Sequence, residues 1–206
     1  MSTDASDVFG RLSPTDTASM ARLHTALVRR AAQEDLLDVA YRTVDSPVGS
    51  LLLAATPRGL VRVAYASEDH EAVLAKLAAK ISPRVLRAPA RLDTAARELE
   101  EYFARRRRSF DLTLDLRLAH GFRRQVLDHL RSIGYARTES YADVAAATGS
   151  PAAVRAVGSA CATNPLPVVV PCHRVVRSDG TLGGYAGGAA AKSALLTMES
   201  ASDSHR

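Results

Sequence analysis

Val168-Val169-Val170-Pro171-Cys172-His173-Arg174-Val175-Val176 is the stretch that decides how the C-terminal half of this chain is read. A β-branched apolar run of this kind predicts a buried strand over 168–170. Pro171 cannot donate to a ladder and should end that strand or hold it at an edge. Cys172 then sits on stiff backbone at the mouth of a core. A thiolate is a strong nucleophile whose pKa is set by neighbouring bases and cations. A solitary buried cysteine is usually a small hydrophobe, but His173 and Arg174 put polarity where a plain core strand has none. Successive strand side chains point to opposite faces. His173 therefore reaches the Cys172 sulfur directly only if the chain bends after Pro171; otherwise a water must carry the proton.

Outward from this stretch, 206 residues suffice for one large or two small domains. No apolar run approaches membrane-spanning length, and the first ten residues are polar, so the expected location is the cytoplasm, with no membrane partner. Cys161 and Cys172 are too few for a disulfide framework or a four-cysteine zinc site, and a reducing compartment keeps both as thiols. The scattered His24, His70, His120 and His129 suggest no metal site. A net charge of +5 and a pI of about 9.6 favour a polyanionic partner, nucleic acid first. Of the 27 basic residues only Lys76, Lys80 and Lys192 are lysines, and an arginine- and alanine-rich chain also arises from GC-rich coding, so charge alone decides little. The run Arg105-Arg106-Arg107-Arg108 is expected as a solvated helix end.

Residues 1–37 read as an extension, partly disordered or one helix. Ser13-Pro14-Thr15-Asp16 resembles a capping box, and Met20, Leu23, Leu27 and Val28 follow at helical spacing. Residues 38–117 read as a small α+β domain. Strands are expected over 39–44, 49–55 and 60–65, helices over 71–80 and 92–106, a short strand at Val85-Leu86, and a strand or extended linker over 110–116. It holds no cluster of titratable groups, and its expected role is support. Residues 118–200 form the second, mostly helical domain, followed by a tail over 201–206. Residues 122–133 are amphipathic, ending at Gly134. A short helix over 140–149, a turn at Ser150-Pro151 and a helix from Ala152 to about Thr163 fit a helix-turn-helix or an ordinary helical hairpin. The second helix is small-surfaced through Ala152, Ala153, Ala156 and Gly158, with Arg155 its one long cation. A last helix is expected over 192–199.

Pro171-Cys172-His173-Arg174 resembles the acceptor motif of the O6-alkylguanine-DNA alkyltransferases, the methylated-DNA–protein-cysteine methyltransferases. Ser140-Tyr141-Ala142-Asp143-Val144-Ala145, Arg155-Ala156-Val157-Gly158, Asn164-Pro165 and Gly183-Gly184-Tyr185-Ala186-Gly187-Gly188 are similar to that family in order and spacing, over about residues 122–199. The resemblance implies an α+β fold with a ribonuclease H-like N-terminal domain and a C-terminal helix-turn-helix domain. It implies irreversible transfer of an alkyl group from O6-alkylguanine, and O4-alkylthymine, in duplex DNA to Cys172, once per molecule and without a cofactor. His173 is then the general base, Glu199 its orienting acid, Asn164 the residue holding the site loop, and Tyr141 a donor to the purine. Arg155, with Ala152, Ala153, Ala156 and Gly158, enters the minor groove and fills the space of an extruded base. Val175, Tyr185, Ala186 and Gly187 line the base pocket. A monomer is expected, with clustering along DNA left open. Two departures stand out: Ala186 replaces a hydroxyl residue of some members, and the clustered N-terminal cysteines and histidines by which some members bind zinc are missing. Three other classes stay open: a damage sensor of the same fold, against which Cys172 argues; a cysteine hydrolase, which leaves Arg155 and its helices unexplained; and a transcriptional regulator built on a sensor helix-turn-helix.

Overall fold

The computed structural model describes residues 17–201. The capping box expected at Ser13–Asp16 and most of the tail lie outside the described residues. The chain through Leu37 forms one compact unit and the chain from Asp38 another. In the first, helix α1 spans Thr17–Gln33. In the second, β1 (Val39–Val44), β2 (Leu51–Thr56), β3 (Gly59–Tyr65) and β4 (Val85–Arg87) form a sheet of order β3-β2-β1-β4. The first three strands are antiparallel neighbours, and β4 returns parallel to β1 after helix α2 (His70–Lys80). Asp69 starts α2 by accepting from the Glu71 and Ala72 amides.

Leu51, Leu52, Leu53 and Ala54 of β2 are all fully buried, so the central strand is covered on both faces. Val39, Leu52, Ala54, Val61 and Ala64 pack with Val73 and Leu77 of α2 in one core cluster. Helix α3 (Asp93–Phe103) buries Ala95, Glu98, Leu99 and Tyr102. It ends earlier than the sequence suggests, and the arginine run after it is not simply solvated. Arg107 lies 2.9 Å from Glu101, 3.4 Å from Glu98 and 3.2 Å from Asp111, tying α3 to the chain that follows.

That following segment is an extended linker. It makes a single parallel bridge, Leu114 to Leu60, with Leu60 donating to Thr113 at 2.9 Å and Asp115 to Leu60 at 2.8 Å. Farther along β3, the Val63 amide donates to the Pro165 carbonyl at 2.9 Å. The edge strand is thus closed by chain rather than left as an open template.

Beyond the linker the described chain is mostly helical. Helix α4 (Gly121–Leu130) buries Val126, Leu127 and Leu130. It stops short of Gly134: Ser132 and Ile133 donate back to His129 and Leu130 in tight turns, and Ala136 takes the left-handed conformation at φ 57°. Helix α5 (Tyr141–Ala147) is started by Ser140, whose hydroxyl accepts from the Asp143 amide at 3.1 Å while Asp143 accepts from Ser140 at 2.9 Å. Helix α6 spans Val154–Ala162, two residues shorter at its start than expected. Ser150 does not cap it; the Ala153 amide bonds the Ser150 carbonyl instead, and residues 150–153 form the turn between α5 and α6. Helix α7 (Gly188–Ser200) closes the chain.

The strand expected over 168–170 is absent, because Asn164 organises the segment between the prolines as a turn. The Asn164 side chain accepts from Leu166 at 2.9 Å and donates to the Val170 carbonyl at 2.8 Å, while the Val170 amide reaches the Leu166 carbonyl at 2.8 Å. Val168 is forced to φ 73°, costly for a β-branched residue. Burial of all three valines is what the sequence pattern reports.

Gly59 sits at φ 134° with the Thr113 carbonyl packed where a Cβ would project, whereas Gly49, at φ 97°, faces open space. Gly59→Ala should therefore cost about 2 kcal/mol or more, and Gly49→Ala clearly less, when urea unfolding midpoints are compared.

Candidate active site

Pro171 leads into one turn of 3-10 helix, Cys172–Arg174, and then into the two-residue strand β6 (Val175–Val176), which pairs in parallel with β5 (Glu139–Ser140). The chain bends after Pro171, so Cys172, His173 and Arg174 fan from one turn into the same interior. Their exposures are 1%, 0% and 6%.

Three buried groups converge on Glu199 of α7, itself fully buried. His173 Nε2 is 3.1 Å from Oε1, and the Tyr102 hydroxyl donates to the same oxygen at 2.7 Å. Arg174 donates through Nη2 to Oε1 at 2.8 Å and through Nε to Oε2 at 3.1 Å. Oε2 also accepts the Ala136 amide at 3.1 Å, and Arg174 Nη1 donates to the Ile133 carbonyl at 2.6 Å. Burial opposes ionisation of Glu199, but the His173 and Arg174 hydrogen bonds and the arginine charge outweigh it, lowering the carboxyl from 4.5 to about 2. Burial lowers the His173 pKa from its ordinary 6.5, against the pull of Glu199, so the imidazole is neutral.

A carboxylate accepts and cannot donate, so Nε2 carries the imidazole hydrogen and Nδ1 the lone pair. Nδ1 is buried with no hydrogen-bond partner in the protein. The site thus holds a base with its accepting nitrogen free.

Asn164 Nδ2 donates to Cys172 Sγ at 3.1 Å. Burial raises the Cys172 thiol to about 11, with the Asn164 hydrogen bond and the Lys192 charge pulling the other way. A thiol so placed needs a base to ionise it. Lys192 is fully buried and donates to the Val175 carbonyl at 2.6 Å; its ammonium lies 5.8 Å from the Tyr141 ring centroid. Tyr141 opens α5, half-buried, its ring packed where a Cβ on Gly183 would stand. Burial raises its pKa, which keeps the phenol protonated. Tyr185 stands edge-on to His173 at 6.3 Å between centroids, joined by Ala186 and Gly187 in the glycine-rich loop.

The structure therefore gathers Cys172, His173, Glu199, Asn164, Tyr141, Val175 and Tyr185 around one site. Ala152, Ala153, Arg155, Ala156 and Gly158 stand on α6 and the turn before it. Arg155 and Ala156 are exposed, Val157, Ala160 and Cys161 form the buried face, and a Cβ on Gly158 would meet nothing within 4 Å. Sequence reasoning gave no role to Tyr102, Arg174 or Lys192. Arg174 was visible as a cation inside a valine run. Lys192 is one of three lysines against 24 arginines in the chain. Tyr102 carries no local sign; only the fold brings it to Glu199. Among the described residues no three or more histidine, cysteine or acidic side chains gather as a metal site, and no helix is long and apolar enough to cross a membrane.

Both shifts have the same sign: the folded state binds fewer protons than the unfolded chain. Stability should fall as pH drops below 6.5 through His173, and more steeply below 4.5 through Glu199. Glu199→Gln should flatten the lower limb and cost about 3–5 kcal/mol at neutral pH by leaving Arg174 buried and unpaired. Urea midpoints measured from about pH 7.5 to about pH 2 check both.

Family models match the chain in two adjoining stretches. Residues 39–116 match the ribonuclease-like domain, and residues 121–201 the DNA binding domain, of 6-O-methylguanine DNA methyltransferase. A methylated-DNA–protein-cysteine methyltransferase of Mycolicibacterium paratuberculosis is 39% identical over 161 residues, 78% of this chain and 92% of that protein. The crystal structure of the Mycobacterium tuberculosis O6-methylguanine methyltransferase superposes with a TM-score of 0.70 at 37% identity, covering 79% of this chain and 93% of that one. The same organism's OGT crystallised with DNA gives 0.68 at 37% identity, over the same 79% and 93%. These matches span both the sheet and the thiol site, and by them the chain belongs to the 6-O-methylguanine DNA methyltransferase family, the methylated-DNA–protein-cysteine methyltransferases.

Proposed function

We propose that this methyltransferase repairs alkylated DNA by direct reversal, moving the alkyl group from O6 of guanine, and from O4 of thymine, in duplex DNA onto Cys172, once per molecule. The observation that carries the reading is the buried pair of Cys172 and neutral His173, the histidine fixed through Nε2 by ionised Glu199 and open at Nδ1. In the step, a Cys172 sulfur lone pair attacks the alkyl carbon as the carbon–oxygen bond to O6 breaks. The thiol proton passes to His173 Nδ1, directly or through one water, and Glu199 stabilises the imidazolium. The electron pair of the broken bond leaves with the purine as an anion, held by a hydrogen bond from the Tyr141 phenol and by the Ala186 backbone amide at O6. The proton taken by His173 returns through water to the purine, leaving neutral guanine and a neutral imidazole. Asn164 holds the sulfur in line. Val175, whose carbonyl is fixed by Lys192, lines the base pocket with Tyr185, Ala186 and Gly187. The product is a thioether, beyond the reach of thiol exchange, and the chain stays in that state.

A base inside a duplex cannot reach a thiol this deep, so it must be flipped. Residues 118–200 are the DNA-facing and acceptor domain in this reading, and residues 38–117 its support. The small surface of Ala152, Ala153, Ala156 and Gly158 permits close approach to the minor groove, with Arg155 filling the vacated stack. Open space around Gly158 supports this, since packing does not demand a glycine there. The working unit is a monomer in a reducing cytoplasm, which suits two free cysteines.

Mass spectrometry of the intact protein after mixing with duplex DNA carrying one O6-methylguanine should show the mass of one methylene added on the Cys172 peptide. Addition stops at one per chain and is absent in Cys172→Ser. Binding without addition would make the protein a damage sensor, and continued turnover a hydrolase. Arg155→Ala should react with a free O6-alkylguanine base as the wild type does and lose about a hundredfold on duplex DNA. Equal loss on both would remove the role given to Arg155.

A further inference from the structure

Tyr65 ends β3, in the part of the chain where the sequence shows no chemical cluster. It is 3% exposed. Its backbone is fixed twice, by the pairing with Leu51 on β2 and by its amide donating to Glu68 at 3.0 Å. Its side chain leaves the sheet for the glycine-rich loop. The Tyr65 hydroxyl lies 2.9 Å from the Tyr185 hydroxyl, and the two rings meet edge-on at 5.7 Å and 71°. Tyr185 in turn stands edge-on to His173. A Cβ on Gly187 would come within 2.6 Å of Tyr65 ring atoms, so the ring occupies the space that only glycine leaves.

The loop that carries Tyr185 has little structure of its own. Its hydrogen bonds are the turn around Asp179 and Thr181 and the Gly188 amide on the Tyr185 carbonyl. Tyr141 packs against it at Gly183 and Tyr65 at Gly187. Tyr141 belongs to the DNA-facing half; Tyr65 comes from the sheet. The wall beside the acceptor sulfur is therefore set from outside the loop.

We infer that Tyr65 is a positioning and specificity residue: it fixes Tyr185 over the acceptor site and so limits the size of alkyl group that Cys172 receives. The inference rests on the transfer reaction proposed above. A rigid strand end bonded to the pocket wall resists the outward movement that a bulky group requires, while leaving a methyl group room.

The test uses the full chain with two substitutions. Tyr65→Phe keeps the ring and removes the hydrogen bond; Tyr65→Leu removes both. Rates of Cys172 alkylation are followed by intact mass with O6-methylguanine and with O6-benzylguanine, each in the same duplex. Tyr65→Phe should slow methyl transfer by about three- to tenfold. Tyr65→Leu should raise the benzyl-to-methyl rate ratio by about tenfold or more, with Phe restoring most of the wild-type ratio. A ratio unchanged in both variants, or equal loss on both substrates tracking a lowered melting temperature, overturns the inference and leaves the repair reading standing. Absence of transfer from the wild-type chain overturns that reading, and this inference with it.

Discussion

A buried carboxylate with four hydrogen-bonding neighbours holds the acceptor site in one arrangement. Glu199 cannot ionise in an apolar interior without compensation, and it is compensated from both halves of the chain beyond Asp38. Tyr102 comes from α3 beside the sheet, His173 and Arg174 from the turn after Pro171, and the Ala136 amide from the loop before α5. The arrangement is all or nothing in character: with Arg174 removed the carboxylate loses its counterion, and with Glu199 removed the guanidinium does. The same bonds that make the cluster tolerable also orient the imidazole, so stability and chemistry are not separable at this point of the structure.

The thiol is managed differently. Asn164 serves as the hub of a proline-rich turn and as the donor to sulfur, and one side chain thereby fixes both the loop and the nucleophile. That economy explains why the valines before Pro171 are not a strand. The Val170 amide is committed to the Leu166 carbonyl within the turn, and strand pairing would have left no turn for the asparagine to organise. Val168 carries the strain, and burial of its side chain offsets it.

Much of this was legible in the residues themselves. Short apolar, β-rich runs between turn residues located β1 to β3, and a short helix over 140–149, ended by Gly149, located α5. The cysteine and histidine of the acceptor turn were legible as polarity inside a valine run. What was misread followed from long-range partners. β-branched residues report burial, and only knowledge of where the amides go separates a buried strand from a buried turn, as at 168–170. Ile133 continued the apolar face of α4 beyond the point where the backbone tightens into turns. Tyr102 and Tyr65 were invisible as site residues because nothing in their neighbours distinguishes them from ordinary core aromatics. Their roles arise from partners 97 and 120 residues away.

Those separations bear on the order in which the molecule can assemble. Three strands of the sheet are joined by hairpins and need only local chain closure, while β4 returns to β1 across α2. The acceptor turn depends on Arg62 donating to the Asn164 carbonyl across 102 residues, and on Val63 of the same strand meeting Pro165. Loop closure over such spans is the slow part of folding. A nascent chain emerging from its N-terminal side presents β3 long before Asn164 exists to dock on it, so the strand edge waits as a template. The nucleophile is thus among the last groups to reach its working geometry, and a chain halted short of that docking has the cysteine but not the acceptor.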